Sequence, residues 1–327
     1  MVYVIKMITK YLDNDKRFSR ASTFSHYPIN QQNNESEGLI MAYKINEHGQ
    51  LELINQSEYL SPEFFSKENI RHGANGMVYY PKELTTDRFI HIVKGNTKTG
   101  DEVGNFNLPI EYTCDHRCEC YKDKKCYACG GCYNYSTNQV TYTQNYNFIR
   151  SDRYDFEDII KVFSTVIHAE NFKLFRYFTC GDIPNKRFFE IMVEIAYQNP
   201  TVKFWAYTKK YYIVNEYLKH FDNVLPENLI IVYSHWLNDD GTYFPMDNPY
   251  NMPTSEFIPL NKEYLTKLVT HVCPCSDPTV TATCATCDHA CYTLKRGESM
   301  ALLEHSTGRT MKRDREIKAA KKALMKN

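Results

Sequence analysis

Cysteine placement constrains this chain more than any other feature of its sequence. Eleven of the twelve cysteines fall in two short and otherwise hydrophilic windows, residues 114–132 and 273–291. Free cysteine in a folded core is usually scattered among apolar residues, which neither window shows. In a reducing compartment this crowding indicates metal binding or catalysis rather than disulfides. Only Cys180 fits an ordinary buried position.

Composition is that of an ordinary globular protein. With 327 residues, 43% of them hydrophobic, the chain can bury a sizeable core, as one α/β domain with additions or as two domains. Lysine plus arginine equals aspartate plus glutamate at 39 each, so no global field favours nucleic acid or an anionic membrane. The sequence shows no signal peptide and no membrane span, and we expect a cytoplasmic protein.

Residues 154–270 are the most regular part of the chain, because helical and strand periods alternate there. Apolar spacing predicts three helices, over 156–168, 186–198 and 211–220, and three strands, over 173–179, 202–208 and 229–234. Asn185 is the expected N-cap of the second helix. This alternation is typical of βαβ units, so we predict an α/β fold with an incomplete (βα) barrel-like parallel sheet and cysteine-rich metal-binding loops.

Four segments are expected along the chain. Residues 1–92 form an α+β lead-in, residues 93–272 hold the βα core with the first cysteine window, and residues 273–309 hold the second window. Residues 310–327 carry seven basic against two acidic residues and favour helix. This tail is either a solvated terminal helix or a weak nucleic-acid contact.

The first cysteine window offers six candidate metal ligands: Cys114, Cys118, Cys120, Cys126, Cys129 and Cys132. The last three have a spacing that resembles bacterial ferredoxin ligation, while Cys114, Cys118 and Cys126 form a second triplet. Six thiols exceed what one metal ion or one 4Fe-4S cluster needs. A cluster held by three thiolates would leave one iron open to a substrate or cofactor, as catalysis requires.

The second cysteine window offers five further candidates: Cys273, Cys275, Cys284, Cys287 and Cys291. The Cys284-x2-Cys287 knuckle suits both structural zinc and iron–sulfur sites. A structural zinc ion and a second iron–sulfur cluster therefore both fit this window.

Several motifs together resemble the phage gene-product eighty-eight family. They are NTKTG (96–100), the cysteine stretch ending in CYA (114–128), CGDIPNKRFFEIMVEIAYQNP (180–200), TKKYYIVNEYL (208–218), LPENLIIVYS (225–234), MDNP (246–249) and C-x2-C-x3-C with LKRGE (284–298). The resemblance covers about two thirds of the chain. It implies the organisation of the chain rather than an activity, because the family has no established activity.

A weaker resemblance is to radical S-adenosylmethionine enzymes. In those enzymes the cluster-binding loop follows the first barrel strand, and the next strand ends in a Gly-Gly-Glu-Pro-like segment that holds the methionine amino group. Here the first cysteine window precedes a strand that ends in CGDIP (180–184). The resemblance implies that Asp182 accepts hydrogen bonds from the cofactor ammonium and that Gly181 permits close approach. The C-x3-C-x2-C triplet of those enzymes is replaced by C-x3-C-x7-C.

Two hypotheses for function follow. The first is a radical S-adenosylmethionine-like enzyme with an iron–sulfur cluster and an unknown substrate, in which the strand-end residues Thr208 and Ser234 also contact the bound ligand. The second is a zinc-binding structural or nucleic-acid-binding phage protein without catalysis. Gly181 and Asp182 are equally compatible with a plain turn that leads into a helix.

Overall fold

The computed structural model describes part of the chain. The described residues are 43–45, 51–53, 67–72, 77–80, 90–95, 99–118, 121, 126–129, 133, 135–151, 154–236, 242–258, 272–276, 281–287 and 291–303. Contacts divide the chain into residues 1–43 and 44–327. A two-stranded sheet joins β1 (Tyr43–Ile45) to β2 (Leu51–Leu53).

A nine-stranded sheet organises the larger unit, and its spatial order follows the chain order. Its strands are β3 (Arg71–His72), β4 (Met77–Tyr80), β5 (Ile90–Lys94), β6 (Val103–Phe106), β7 (Leu174–Tyr177), β8 (Lys203–Thr208), β9 (Leu229–Trp236), β10 (Thr254–Ile258) and β11 (Ser299–Leu303). Neighbours from β3 to β6 pair antiparallel, and neighbours from β6 to β11 pair parallel. The predicted α/β class with a mostly parallel sheet is confirmed.

Helices occupy the crossovers from β6 to β7, from β7 to β8 and from β8 to β9. They are α1 (Ile110–Thr113) and α2 (Ser136–Arg150), then α3 (Phe156–Ala169), α4 (Lys186–Gln198) and α5 (Tyr211–His220). The predictions for α4 and α5 match their bounds, and that for α3 ends one residue early. The sequence patterns did not predict α2, β10 or β11. The segment that contains β10, residues 238–259, is rich in Pro and Asn, as loops are.

Side-chain caps fix where two of these helices begin. Asp155 accepts a bond from the N–H of Asp158 at 2.8 Å, and the Asp158 carboxylate accepts one from the N–H of Asp155 at 3.2 Å. This reciprocal pair satisfies donors that a helix start leaves unpaired. Asn185 caps α4 as predicted, because its side chain accepts from the N–H of Phe188 at 2.9 Å.

Strand alternation sends neighbouring residues to opposite faces of the sheet. Phe175 and Tyr177 of β7 and Phe204 of β8 pack on one another, and they join rings from α3 and α4 in a fully buried aromatic core. The intervening residues, Arg176 and Trp205, belong to the opposite face, where they line a cavity.

The predicted segment boundary at residues 92 and 93 falls inside β5, and β3 to β5 extend the same sheet as the βα strands. The predicted helical tail, residues 310–327, lies outside the described residues. Among the helices that the structure describes, none is long and apolar enough to cross a membrane.

Candidate functional site

A cavity of about 360 Å³ opens at the carboxyl ends of β7, β8 and β9 and extends over the face of the sheet that carries Arg176 and Trp205. Its volume falls within the range of about 300–1,000 Å³ that is usual for small-molecule sites. Cysteines from both windows line it, together with the predicted ligand-binding residues Gly181, Asp182, Thr208 and Ser234. The two windows, which lie far apart in sequence, therefore meet at one site.

Three cysteines of the first window line the cavity: Cys114, Cys118 and Cys126. Cys114 follows α1, and its N–H donates to the carbonyl of Ile110 at 3.0 Å. The thiol of Cys126 contacts that of Cys129, which packs in the same apolar cluster. Cys120 and Cys132 lie outside the described residues. The structure thus brings the C-x3-C-x7-C triplet to the cavity wall.

Cys180 also belongs to this group of thiols, although its sequence position indicates only an ordinary core residue. It is 1% exposed, lines the cavity and packs with Cys114, Cys126 and Cys129. Its N–H donates to the Asn107 side chain at 3.1 Å, which holds the end of β7 against the end of β6. The sequence offered one signal that Cys180 lies at the site, which is its position directly before Gly181 and Asp182.

Asp182 ties together the ends of two strands. Its Oδ1 accepts bonds from the Thr208 hydroxyl at 2.6 Å and from the N–H of Ile183 at 2.7 Å. Its Oδ2 accepts one from the N–H of Lys209 at 2.9 Å. Burial raises the pKa of this carboxyl, and the bonds from Thr208 and Lys209 oppose that rise. Asn185 rather than Asp182 caps α4, so Asp182 is not simply a helix cap.

Packing within the chain explains why position 181 is a glycine. Its φ is +92°, and a Cβ there would lie 2.6 Å from the carbonyl oxygen of Leu108. Such a conformation and such a contact favour glycine. The close approach that requires glycine is therefore to the chain before α1, in addition to any approach to a ligand.

Polar and aromatic side chains complete the mouth of the cavity. The Lys209 ammonium donates to the Ser234 hydroxyl at 3.2 Å and lies 5.4 Å from the ring centroid of Trp236. Trp236 stacks on Phe257 with centroids 4.0 Å apart. The Thr208 hydroxyl donates to Asp182 and accepts from the N–H of Lys210, so Thr208 positions Asp182.

The second window also lines the cavity. Four of its cysteines line it, and their thiols contact one another in the series Cys291, Cys273, Cys275, Cys284. Cys287, the other half of the predicted knuckle, packs in the same apolar cluster.

Metal binding requires more than this proximity. Among the described residues, no group of three or more His, Cys, Asp or Glu side chains could hold a metal ion as it stands. The soft thiol donor set fits zinc and iron–sulfur centres. Because a cysteine places its sulfur through one side-chain torsion, thiols that meet in pairs would have to rotate to share a centre. Burial raises the pKa of the Cys114 thiol, and the nearby Asp182 carboxylate adds to this rise.

The fold and site define an α/β protein with a cavity at the carboxyl ends of parallel strands, walled by two sets of cysteines. Residues 90–245, just under half of the chain, match the family model described as Gene product 88, which supports the resemblance to that phage family. No curated protein and no solved structure is significantly similar to the chain. These comparisons therefore do not support the weaker resemblance to radical S-adenosylmethionine enzymes.

Proposed function

We propose that the chain is an iron–sulfur enzyme of the radical S-adenosylmethionine type, with Cys114, Cys118 and Cys126 as the cluster ligands. One observation carries the proposal. A cysteine triplet from the loop after the first parallel strand lines the same cavity as Asp182, which follows the next strand. Six parallel strands in chain order are also the arrangement from which an incomplete barrel would be built.

The donor set suits such a cluster. Three thiolates from one loop would leave one iron open, and when bound the group would supply the electron that cleaves the sulfonium cofactor to start radical chemistry. Ile110, Ala128 and Tyr121 line the cavity beside these cysteines and would limit access of water.

Asp182 is the proposed anchor for the cofactor ammonium. Its Oδ2 accepts a single bond, from the N–H of Lys209, and a carboxylate oxygen has two lone pairs. Capacity for one further donor therefore remains on a buried oxygen at the cavity. Lys209 and Ser234, on the next two strand ends, would contact the cofactor carboxylate or the substrate.

Anaerobic purification tests the cluster. We expect a brown protein with iron and acid-labile sulfide, and we expect Cys114→Ala, Cys118→Ala and Cys126→Ala each to lose the iron of this site. Cys129→Ala is the matched control from the same loop and should retain it. A colourless wild-type protein with zinc and no iron after anaerobic reconstitution would favour the alternative, a zinc-binding structural or nucleic-acid-binding protein.

Calorimetric titration with S-adenosylmethionine tests the cofactor site. Asp182→Asn preserves size and removes the charge, so we expect affinity to fall by about tenfold or more with the cluster intact, since a hydrogen bond to a charged group contributes about 1.5–3 kcal/mol. Asp115→Asn is the control, because Asp115 also lines the cavity but pairs with Arg117. Equal affinity in the wild type and Asp182→Asn would refute the role of Asp182.

A further inference from the structure

Four cysteines of the second window form a continuous row, in which Cys273, Cys275 and Cys291 are buried and Cys284 is partly buried. Cys273 and Cys275 are each 7% exposed and Cys291 is 8% exposed. The thiol of Cys273 contacts those of Cys275 and Cys291, and Cys275 also contacts Cys284. Thiols of this number, packed side by side in a reducing compartment, are the donor set of a thiolate-ligated metal centre.

The sheet supplies polar partners for this row. The Tyr207 hydroxyl of β8 donates to the sulfur of Cys291 at 2.5 Å. The guanidinium of Arg176, on β7, lies 5.3 Å from the centroid of the Tyr207 ring. A centre with four thiolates carries negative charge, so a cation and an O–H donor behind it are the surroundings that would stabilise it.

Trp205 provides an independent observation. Its side chain is 1% exposed, it lines the cavity beside these cysteines, and its indole Nε1 is buried without a hydrogen-bond partner. A buried donor without a partner is costly, and native proteins rarely leave one. A sulfur acceptor from a bound centre would satisfy it.

We propose that Cys273, Cys275, Cys284 and Cys291 bind a second thiolate-ligated metal centre, iron–sulfur or zinc, which faces the same cavity as the first cysteine window. Arg176, Trp205 and Tyr207 position and stabilise this centre. Because the row forms a wall of the cavity, the centre would contact the substrate or act on it, which a purely structural site remote from the cavity could not do. This inference does not depend on the radical chemistry, since metal content reports each site separately.

Metal analysis of the full chain tests the proposal. The wild type, Cys275→Ser and Cys291→Ser would be prepared anaerobically with iron and zinc both supplied, and iron, zinc and sulfide would be measured per chain. We expect each variant to lose one centre and Cys287→Ser to lose none. Loss of iron with sulfide identifies a cluster, whereas loss of one zinc ion identifies a zinc site. Wild-type content of both metals in Cys275→Ser and Cys291→Ser would overturn the proposal.

Tyr207→Phe keeps the inference testable if the cysteine variants fail to fold. It removes the hydroxyl and keeps the ring, so affinity for the metal, measured by its release to a competing chelator, should fall by about 10–100-fold, the usual effect of losing an outer partner of a metal ligand. Tyr233→Phe is the control, because the Tyr233 hydroxyl donates to the side chain of Asn215 and not to a thiol. Equal release from the wild type and Tyr207→Phe would contradict a metal-facing role. Failure of the proposed first cluster would instead appear as wild-type iron content in Cys114→Ala, Cys118→Ala and Cys126→Ala, whatever Cys275→Ser and Cys291→Ser show.

Discussion

The two faces of the parallel sheet use alternate residues of the same strands in different ways. On the helix-covered face, Phe175 and Phe204 join Phe163 in a core of buried aromatic rings, which also contains the Tyr177 hydroxyl, unpartnered among the described residues. On the cavity face, Arg176 and Trp205 meet the cysteines of the second window. One face is held by buried rings, and the other is built from thiols and polar donors.

This difference separates what folds the protein from what the protein does. Burial of aromatic rings stabilises without any partner from outside the chain. A thiol is smaller than an aromatic ring and gains less from burial, and the Trp205 indole N–H has no hydrogen-bond partner among the described residues, so burial alone stabilises the cavity face less. The comparison predicts that stability and metal content respond to different substitutions.

Phe163→Ala should give the largest loss of stability. Phe163 is fully buried, and its ring centroid lies 4.9 Å from that of Phe106. Removing a buried phenylalanine usually costs about 3–5 kcal/mol, because apolar contact is lost and a cavity remains. Urea unfolding would measure the change.

Tyr135→Ala is the control for Phe163→Ala, since Tyr135 is 63% exposed. It should unfold within about 0.5 kcal/mol of the wild type. If folded Phe163→Ala lost metal in proportion to its lost stability, the two faces would not be separable.

Asp182→Ala should give the second largest loss of stability. Asp182 lies at the strand ends, where the two faces of the sheet meet. The substitution leaves the N–H of Lys209 and the hydroxyl of Thr208 without their acceptor. We expect a loss of about 2–3 kcal/mol in the free energy of unfolding, again from urea titration. Thr208→Ser keeps the hydroxyl that bonds Asp182 and Lys210, and it should cost less. A loss for Thr208→Ser equal to that for Asp182→Ala would show that the hydrogen bonds of Asp182 are not what stabilises the strand ends.

The helix-covered face is the part of the fold that the sequence predicts well. Apolar residues at helical spacing and a single Asn at position 185 suffice for α4, whose bounds match the prediction. By contrast, α2 is rich in Thr and Asn, and a buried amide holds it in place: Asn145 bonds both backbone groups of His91 and the carbonyl of Asn107. Such tertiary bonds leave no periodic pattern to read.

The candidate site shows a similar division. Spacing identified the cysteine windows and the strand-end residues, because these signals are local. It could not show that the two windows share a cavity or that Cys180 joins the first, since both depend on strand order. Strand alternation places Arg176, Trp205 and Tyr207 on one face of the sheet. Their roles become clear only when the structure shows that the second cysteine window packs on that face.

Glu190→Gln should reveal a pH-dependent contribution from the helix-covered side. Burial raises the pKa of Glu190 to about 7 from 4.5. The folded state thus holds this proton more tightly than the unfolded state, and stability falls as the pH rises from 4.5 to 7. After allowance for partial exposure, we expect Glu190→Gln to be more stable than wild type by about 1–2 kcal/mol above that range and nearly equal below it.

Urea unfolding of Glu190→Gln at the two ends of this pH range would measure the effect. Glu227→Gln is the control, because Glu227 is exposed. The same pH response in Glu190→Gln and the wild type would show that another group titrates.

Asn185→Ala should have the smallest effect on stability, and it should leave the metal content of the cavity face unchanged. Loss of an N-cap side chain usually costs about 1 kcal/mol, because the N–H of Phe188 loses its acceptor. Asn185→Ser keeps an oxygen at that position and should recover most of the stability. Urea unfolding would measure the stability of both variants, and metal analysis would measure their content. Because the cap stabilises α4 without contacting a thiol, the metal content of both variants should equal that of the wild type. A lower metal content in Asn185→Ala alone would show that the cysteines of the cavity face depend on the start of this helix.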